Sequence, residues 1–176
     1  MKVATIVRRF LVPGWYVTLA CFWRFRAQVS PRAEVELSHN LRFGRGTVVG
    51  SFTKVKATGG LLVTGTGVRI ATGCFLDAQA GGLTIGNRVL IAANCVILAV
   101  DYRHSRLGVP LDEQGITSKG ITIGENAFLG SNCVVLDGSE IGPDVIVAAG
   151  SVVSGKMPAG AIVSGNPARV VFVRRP

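Results

Sequence analysis

From Ile123 onward the branched apolar residues fall at a constant step: Ile123, Leu129, Val135, Ile141, Val147 and Val153 are each six residues apart. Ile85, Ile91 and Ile97 keep that step upstream, and Phe43, Val49, Val55, Val63, Ile70 and Leu76 keep it less regularly. A small residue often follows the apolar one, as at Gly50, Gly86, Ala92, Gly124, Gly130, Gly142 and Ala148. Three residues after it stands a turn former: Gly73, Asn94, Asn126, Asn132, Gly138, Asp144 or Gly150. Glycine, asparagine and aspartate tolerate the left-handed backbone of a tight corner. The next position carries a small or branched side chain: Cys74, Val89, Cys95, Ala127, Cys133, Val145 or Ser151.

Helices repeat near 3.6 residues and alternating strands at 2, so neither produces a step of six. Short flat strands with a corner after each, three to a turn and stacked as a prism, do produce it. The sequence therefore predicts an all-β chain, a parallel β-helix of hexapeptide repeats in which each coil pairs only with its neighbours. At 176 residues this is one domain's worth of chain, long enough for a substantial core.

The step fails once. Twenty-six residues separate Ile97 from Ile123, which is not a multiple of six, and the interval begins "VDYRHSRLGVPLDEQG" (Val100 to Gly115). It is polar and holds Asp101, Arg103, His104, Arg106, Asp112, Glu113 and Lys119. A loop extruded from a rigid prism is a natural place for chemistry. The expected organisation is an amino-terminal helical segment over 1–32, the β-helix over 33–171 with its extruded loop at 100–120, and a basic tail at 172–176.

The cysteines change little. Cys74, Cys95 and Cys133 all fall on the small-residue position of their hexapeptides and read as buried packing residues, as free cysteine commonly is. A cysteine nucleophile paired with His104 is the sharper and weaker alternative. Cys21 forms no metal or redox spacing with the others.

Charge narrows the partners. The formal net charge is +9, with Lys2, Arg8, Arg9, Arg24, Arg26 and Arg32 before the repeat and Arg169, Arg174 and Arg175 after it. No basic helix or aromatic-interleaved basic motif of a nucleic-acid reader is present, so the excess suits a membrane surface or an anionic cofactor better. The segment "RRFLVPGWYVTLACFWRFR" has an apolar run from Phe10 to Trp23, short of the roughly twenty residues that span a bilayer. Two roles stay open for it. It can cap the exposed strand edge at the end of the prism. Alternatively, residues 8–26 touch the inner membrane face, with Trp15, Tyr16, Phe22 and Trp23 dipping in and the arginines meeting anionic headgroups.

"DYRHS…VPLDEQGI…KGITIGENAFLGSNCVVLDGSEIG", then "AAGSVV…MPAGAIVSGNPARVV", resembles the hexapeptide-repeat acetyltransferases. It is most similar to the branch of maltose and galactoside O-acetyltransferases and polysaccharide-cluster sugar O-acetyltransferases. The resemblance runs from about Leu41 to Val171 and is most specific at Gly165-Asn166-Pro167-Ala168-Arg169. It implies a left-handed coil, a homotrimer with active sites in grooves between subunits, acetyl-CoA as donor and no metal. A cytoplasmic setting follows from the donor.

The resemblance also assigns residues. His104 of Asp101-Tyr102-Arg103-His104-Ser105 matches the family's general base, while Tyr102 replaces another histidine and would touch the acceptor. Phe128 stands where relatives often place a tryptophan against pantetheine, and Ser131 and Ala149 match positions lining the CoA channel. Arg169 matches a basic residue near the CoA phosphates, and Lys156 is displaced by one from another. Asp77 falls in a stretch that lines the acceptor pocket.

Imidazole titrates near working pH and is a competent base for deprotonating a hydroxyl as it attacks a thioester. Its tautomer needs an acceptor, either Asp101 or a backbone carbonyl, and the oxyanion needs donors, for which the N–H groups near Gly130 and Ser131 are candidates. His39 reads as a polar edge residue. Two histidines are too few for the three-histidine zinc site of the hexapeptide carbonic anhydrases. O-acetylation of a sugar hydroxyl in surface-polysaccharide or glycolipid assembly is the leading expectation. N-acetylation of an amino-sugar nucleotide or aminated xenobiotic comes second, and a non-catalytic scaffold third.

Overall fold

Three flat parallel sheets form the walls of a prism in a computed structural model that describes residues 12–174. Lys2, Arg8, Arg9, Phe10 and Arg175 lie outside the described residues. The first face stacks 28–29, 48–49, 69–70, 90–91, 128–129, 146–147 and 161–165. The second stacks 34–35, 54–56, 75–77, 96–98, 134–135 and 152–153, and the third 41–42, 62–64, 83–85, 121–123, 140–141 and 156–157. The chain visits the faces in that order on every turn, as a parallel β-helix does, and the coil is left-handed.

The step of six is the spacing of the inward side chains. Leu129, Val135, Ile141, Val147 and Val153 are all at most 2% exposed. Their backbones hydrogen-bond to the coils above and below, as where Gly130 N donates to Val147 O at 2.9 Å. All seven turn formers picked out by spacing have positive φ, among them Asn126 at 55° and Asp144 at 57°. These two corners are also tied side chain to side chain, Asn126 Nδ2 donating to Asp144 Oδ1 at 2.6 Å.

One expected inward residue is displaced. Val63 is half-buried and faces outward, opposite Arg42 and Thr84, while Leu62 and Thr64 on either side fill the interior. The cause lies at the preceding corner, where Ala57-Thr58-Gly59-Gly60-Leu61 is longer than a hexapeptide permits, and 78–82 repeats that widening one coil later. A one-residue slip in a strand inverts every side chain in it.

The helix α1 (Gly14–Phe25) packs on the first coil. Val17 and Cys21 are buried against the prism, and Phe25 meets Phe43 edge to face at 5.9 Å between centroids. Thr18 Oγ1 donates to Val29 O at 2.9 Å, satisfying a carbonyl of the first strand pair. The opposite end finishes differently: 168–173 turns back antiparallel on 161–165, after a cis Asn166–Pro167 bond.

The thiols at 74, 95 and 133 form a column inside the corner between the first and second faces. Each donates to a carbonyl of a neighbouring coil: Cys74 to Ala92 O at 3.2 Å, Cys95 to Gly130 O at 3.1 Å and Cys133 to Ala148 O at 3.1 Å. Cys95, between the other two, is held well above the ordinary thiol value by Cys133, Cys74 and burial. Burial likewise pushes Cys21 up to about 11, with Arg24 pulling weakly the other way. Hydrogen bonding from Cys95 lowers Cys74 and Cys133 to about 7. All four thiols are nonetheless buried within the coil while His104 stands on an exposed loop at another corner, so within one chain none of them faces its imidazole.

Candidate active site

The extruded loop leaves the prism at the corner between the second and third faces and returns to the same corner. Leu83 pairs with Ile121 and Ile85 with Ile123 as if nothing intervened, so the insertion leaves the coil intact. Its stem is a two-pair antiparallel hairpin, Asp101 opposite Thr117 and Tyr102 opposite Ile116. Ser118 ties the stem to the wall, donating from Oγ to Ala99 O at 2.6 Å and accepting Gly81 N at 2.8 Å. One coil further on, the Asp137 carboxylate accepts Lys119 N at 2.8 Å and Gly120 N at 2.9 Å, fixing the return.

His104 stands exposed beyond this stem. Its Nδ1 lies 3.0 Å from Tyr102 O. A carbonyl only accepts, so Nδ1 carries the hydrogen, and in the neutral ring Nε2 is left with a lone pair and no protein partner among the described residues. Asp101 does not hold the ring, contrary to one of the two expectations. Its Oδ1 accepts the Tyr102 N–H at 2.8 Å, because a carboxylate at the start of a short hairpin reaches the next backbone donor first. Asp101 therefore supports the Tyr102 peptide that in turn orients the imidazole.

Sequence reading missed the side chain that shapes the loop. Gln114 is the one buried polar residue between 100 and 120, at 6% exposure. Its Oε1 accepts Arg106 N at 3.0 Å, while Nε2 donates to Arg106 O at 3.0 Å and to Val109 O at 2.8 Å. One amide thus satisfies three backbone groups of the turn that follows His104, and it anchors the distal half of the loop. A lone glutamine in a polar segment carries no spacing signal, whereas Asp137 sits at a corner where any turn former would serve.

Five of the remaining candidates gather elsewhere. Phe128 faces outward on the first face, and Gly130, Ser131 and Ala149 form the next corner in two consecutive coils. A Cβ on Gly130 would come within 2.6 Å of Ala149 N, so only glycine stacks there. The Gly130 N–H is committed to Val147 O and is no free oxyanion donor, which leaves Ser131. Arg169 lies opposite Ser164 in the closing hairpin, which is joined to this corner by Gly165 N donating to Ser151 Oγ at 3.2 Å.

Lys156 is not with them. It projects from the third face and pairs with Glu140 at 2.9 Å, both side chains exposed. Asp77 is buried beneath the loop's corner with both oxygens engaged, by Lys56 Nζ at 2.9 Å and Gln79 Nε2 at 2.9 Å. That arrangement braces the corner. Among the described residues no group of three or more histidine, cysteine, aspartate or glutamate side chains could hold a metal ion.

Within one chain, then, His104 and the group around Ser131 occupy different edges of the prism. The outward side chains also differ between faces. In the later coils Leu90, Phe128, Ile146 and Ile162 line the first face and Phe75, Val96, Val134 and Val152 the second, with Gln28, Arg69, Glu34 and Lys54 in the earlier coils, whereas Thr84, Thr122, Glu140 and Lys156 line the third.

Comparison with known proteins agrees with this architecture. Residues 120–155 match the bacterial transferase hexapeptide model of six repeats. The chain is 30% identical over 135 residues to the probable acetyltransferase Rv3034c of Mycobacterium tuberculosis, covering 77% of this chain and 45% of that protein. It thus spans about half the length of that curated relative. Among solved structures, a variant of AntD, an N-acyltransferase from Bacillus cereus in complex with dTDP and coenzyme A, superposes with a TM-score of 0.78 at 17% identity, over 89% of this chain and 88% of that one. The acetyltransferase domain of PglB from Neisseria gonorrhoeae in complex with acetyl coenzyme A gives a TM-score of 0.63 at 23% identity, over 82% and 57%. The chain thus carries the bacterial transferase hexapeptide repeat and is similar in sequence to a probable acetyltransferase and in fold to solved acyl- and acetyltransferases.

Proposed function

We infer that the chain transfers an acetyl group from acetyl-CoA to a sugar hydroxyl, with His104 as general base. The observation that carries this reading is the single break in the prism, which presents an imidazole with Nδ1 held by a carbonyl and Nε2 free. Nε2 takes the hydroxyl proton as the oxygen attacks the thioester carbonyl. The tetrahedral oxyanion accepts a hydrogen bond from a donor such as the Ser131 N–H. Collapse breaks the C–S bond, and the imidazolium returns its proton to the departing CoA thiolate. No covalent enzyme intermediate is needed.

Phe128, Ser131, Ala149 and Arg169 suit the donor, because an apolar ring, a close-packed corner and a cation answer the pantetheine arm and the CoA phosphates. Since these lie on a different edge from His104, the site is completed between copies. The apolar outward side chains in the later coils of the first and second faces support a homotrimer in which one subunit's loop meets a neighbour's corner. Burying those outward side chains is favourable, and the polar third face is left to solvent.

A second reading has its own support. A solved AntD complex contains dTDP-4-amino-4,6-dideoxyglucose with coenzyme A, so a nucleotide-linked amino sugar is the competing acceptor. The same lone pair would take the proton from a neutral amine as its nitrogen attacks the thioester carbonyl. Release of CoA thiol from acetyl-CoA, measured against hydroxyl-only sugars and amino-sugar nucleotides, tests both. Turnover with hydroxyl-only acceptors that disappears in His104→Ala supports O-transfer. Turnover confined to amino sugars replaces it with N-transfer, and equal rates for wild type and variant remove His104 from the chemistry.

A further inference from the structure

Most helices that pack on a protein turn a polar face outward. The helix α1 does the reverse. Val17 and Cys21 face the prism, while Trp15, Tyr16, Leu19, Phe22 and Trp23 point into solvent, each between 48% and 81% exposed. At 3.6 residues per turn these five occupy one continuous arc of about 120°. There is no acidic side chain anywhere in the helix. Arg24 and Arg26 close its carboxyl end, and Arg26 O accepts the N–H of Gly46, which brings exposed Arg45 to the same end. None of the three arginines has an ion-pair partner among the described residues. Beside the helix, a hollow of about 390 Å³ continues the apolar surface between Leu19, Phe22, Ala27, Val29 and Val48.

We propose that the outer face of α1 is a docking surface for an anionic lipid bilayer. Indole and phenol rings favour the boundary between headgroups and acyl chains, and arginines beside them meet lipid phosphates. Twelve residues are too few to cross a membrane, and no helix among the described residues is long and apolar enough to do so. The helix therefore lies along the surface, with Trp15, Leu19, Phe22 and Trp23 inserted and the hollow open to an acyl chain. A second copy of the chain fits less well. A two-fold contact through this face would bring identical unpaired arginines together. A bilayer of opposite charge answers the apolar arc and the arginines at once. The proposal stands apart from the acetyl-transfer reading, since its test contains no CoA.

Trp15 and Trp23 are the chain's only tryptophans, so intrinsic emission reports on this face alone. The full chain is mixed with vesicles of phosphatidylglycerol and phosphatidylethanolamine, or of phosphatidylcholine alone, and followed by emission and flotation. Anionic vesicles are expected to shift the emission to the blue and carry the protein upward, with at least tenfold weaker partition onto phosphatidylcholine and a loss of binding at high salt. The double variant Leu19→Glu, Phe22→Glu changes only solvent-facing positions. It is expected to lose at least tenfold in partition at an unchanged melting temperature. Trp23→Ala, the most exposed position, provides a milder version with a severalfold loss. Absence of flotation on anionic vesicles, or equal flotation of wild type and double variant, overturns the proposal. Self-association without lipid that the double variant abolishes overturns it in favour of an interface between copies.

Discussion

The prism and the loop that leaves it solve the same problem by different means. In the prism, each coil's backbone N–H finds a carbonyl in the next coil, and the interior is filled by side chains repeating every six residues. The loop between 100 and 120 has no such neighbour. It holds its shape through two hairpin pairs, the Gln114 amide, the Ser118 hydroxyl and the Asp137 carboxylate. Order in the prism is collective and redundant. In the loop it depends on a few individual side chains, and that is the region carrying the imidazole.

The comparison can be broken first at its chemical end. His104→Ala is expected to lower the rate of acceptor-dependent CoA release about a hundred- to ten-thousand-fold, the usual worth of a general base, with no change in melting temperature. A matching fall in thermal stability would mean that the loop histidine is structural. At the other end, Leu129→Ala removes a fully buried side chain and leaves a cavity between coils. It is expected to cost about 2–5 kcal/mol in denaturant unfolding. Because each coil is paired with the coils on both sides, the loss should reach those neighbours as well as the coil that carries Leu129.

Gln114→Ala sharpens the contrast. It strands three backbone groups in the loop and is expected to cost about 1–3 kcal/mol locally. Hydrogen exchange should quicken between 103 and 115 while protection of the prism persists, and the rate of acetyl transfer should fall more than the global melting point does. Global unfolding together with the loop would show that the two regions are one cooperative unit. The smallest effect is expected at Asp137→Asn. The amide oxygen retains one of the accepted bonds, and stability should fall by about 1 kcal/mol, seen as a slight shift of the denaturant midpoint.

The contrast also explains what could be read beforehand. Hydrophobic spacing exposed the prism because packing repeats with the backbone, and the same spacing located seven of its left-handed corners. Its one failure, at Val63, arose where corner 57–61 is longer than the repeat allows. His104 was visible because it interrupts a period. Gln114 and Asp137 were not, since their roles rest on where a chain folds back upon itself, and no period encodes that. The tautomer-holding group was undecidable for the same reason: Asp101 and the Tyr102 carbonyl are neighbours in sequence, and only the hairpin's geometry shows which one faces the ring.

The antiparallel return of 168–173 onto 161–165 has a further consequence. A stack of identical parallel coils contains no instruction to stop, and any copy could in principle continue another, as happens in fibres. Reversing the strand direction at one end presents a hydrogen-bonding pattern that the next coil in such a series could not match. At the other end, α1 lies across the first coil, with Thr18 bonded to Val29 O. Length control is thus written into the fold: a potentially endless polymer is held to one molecule.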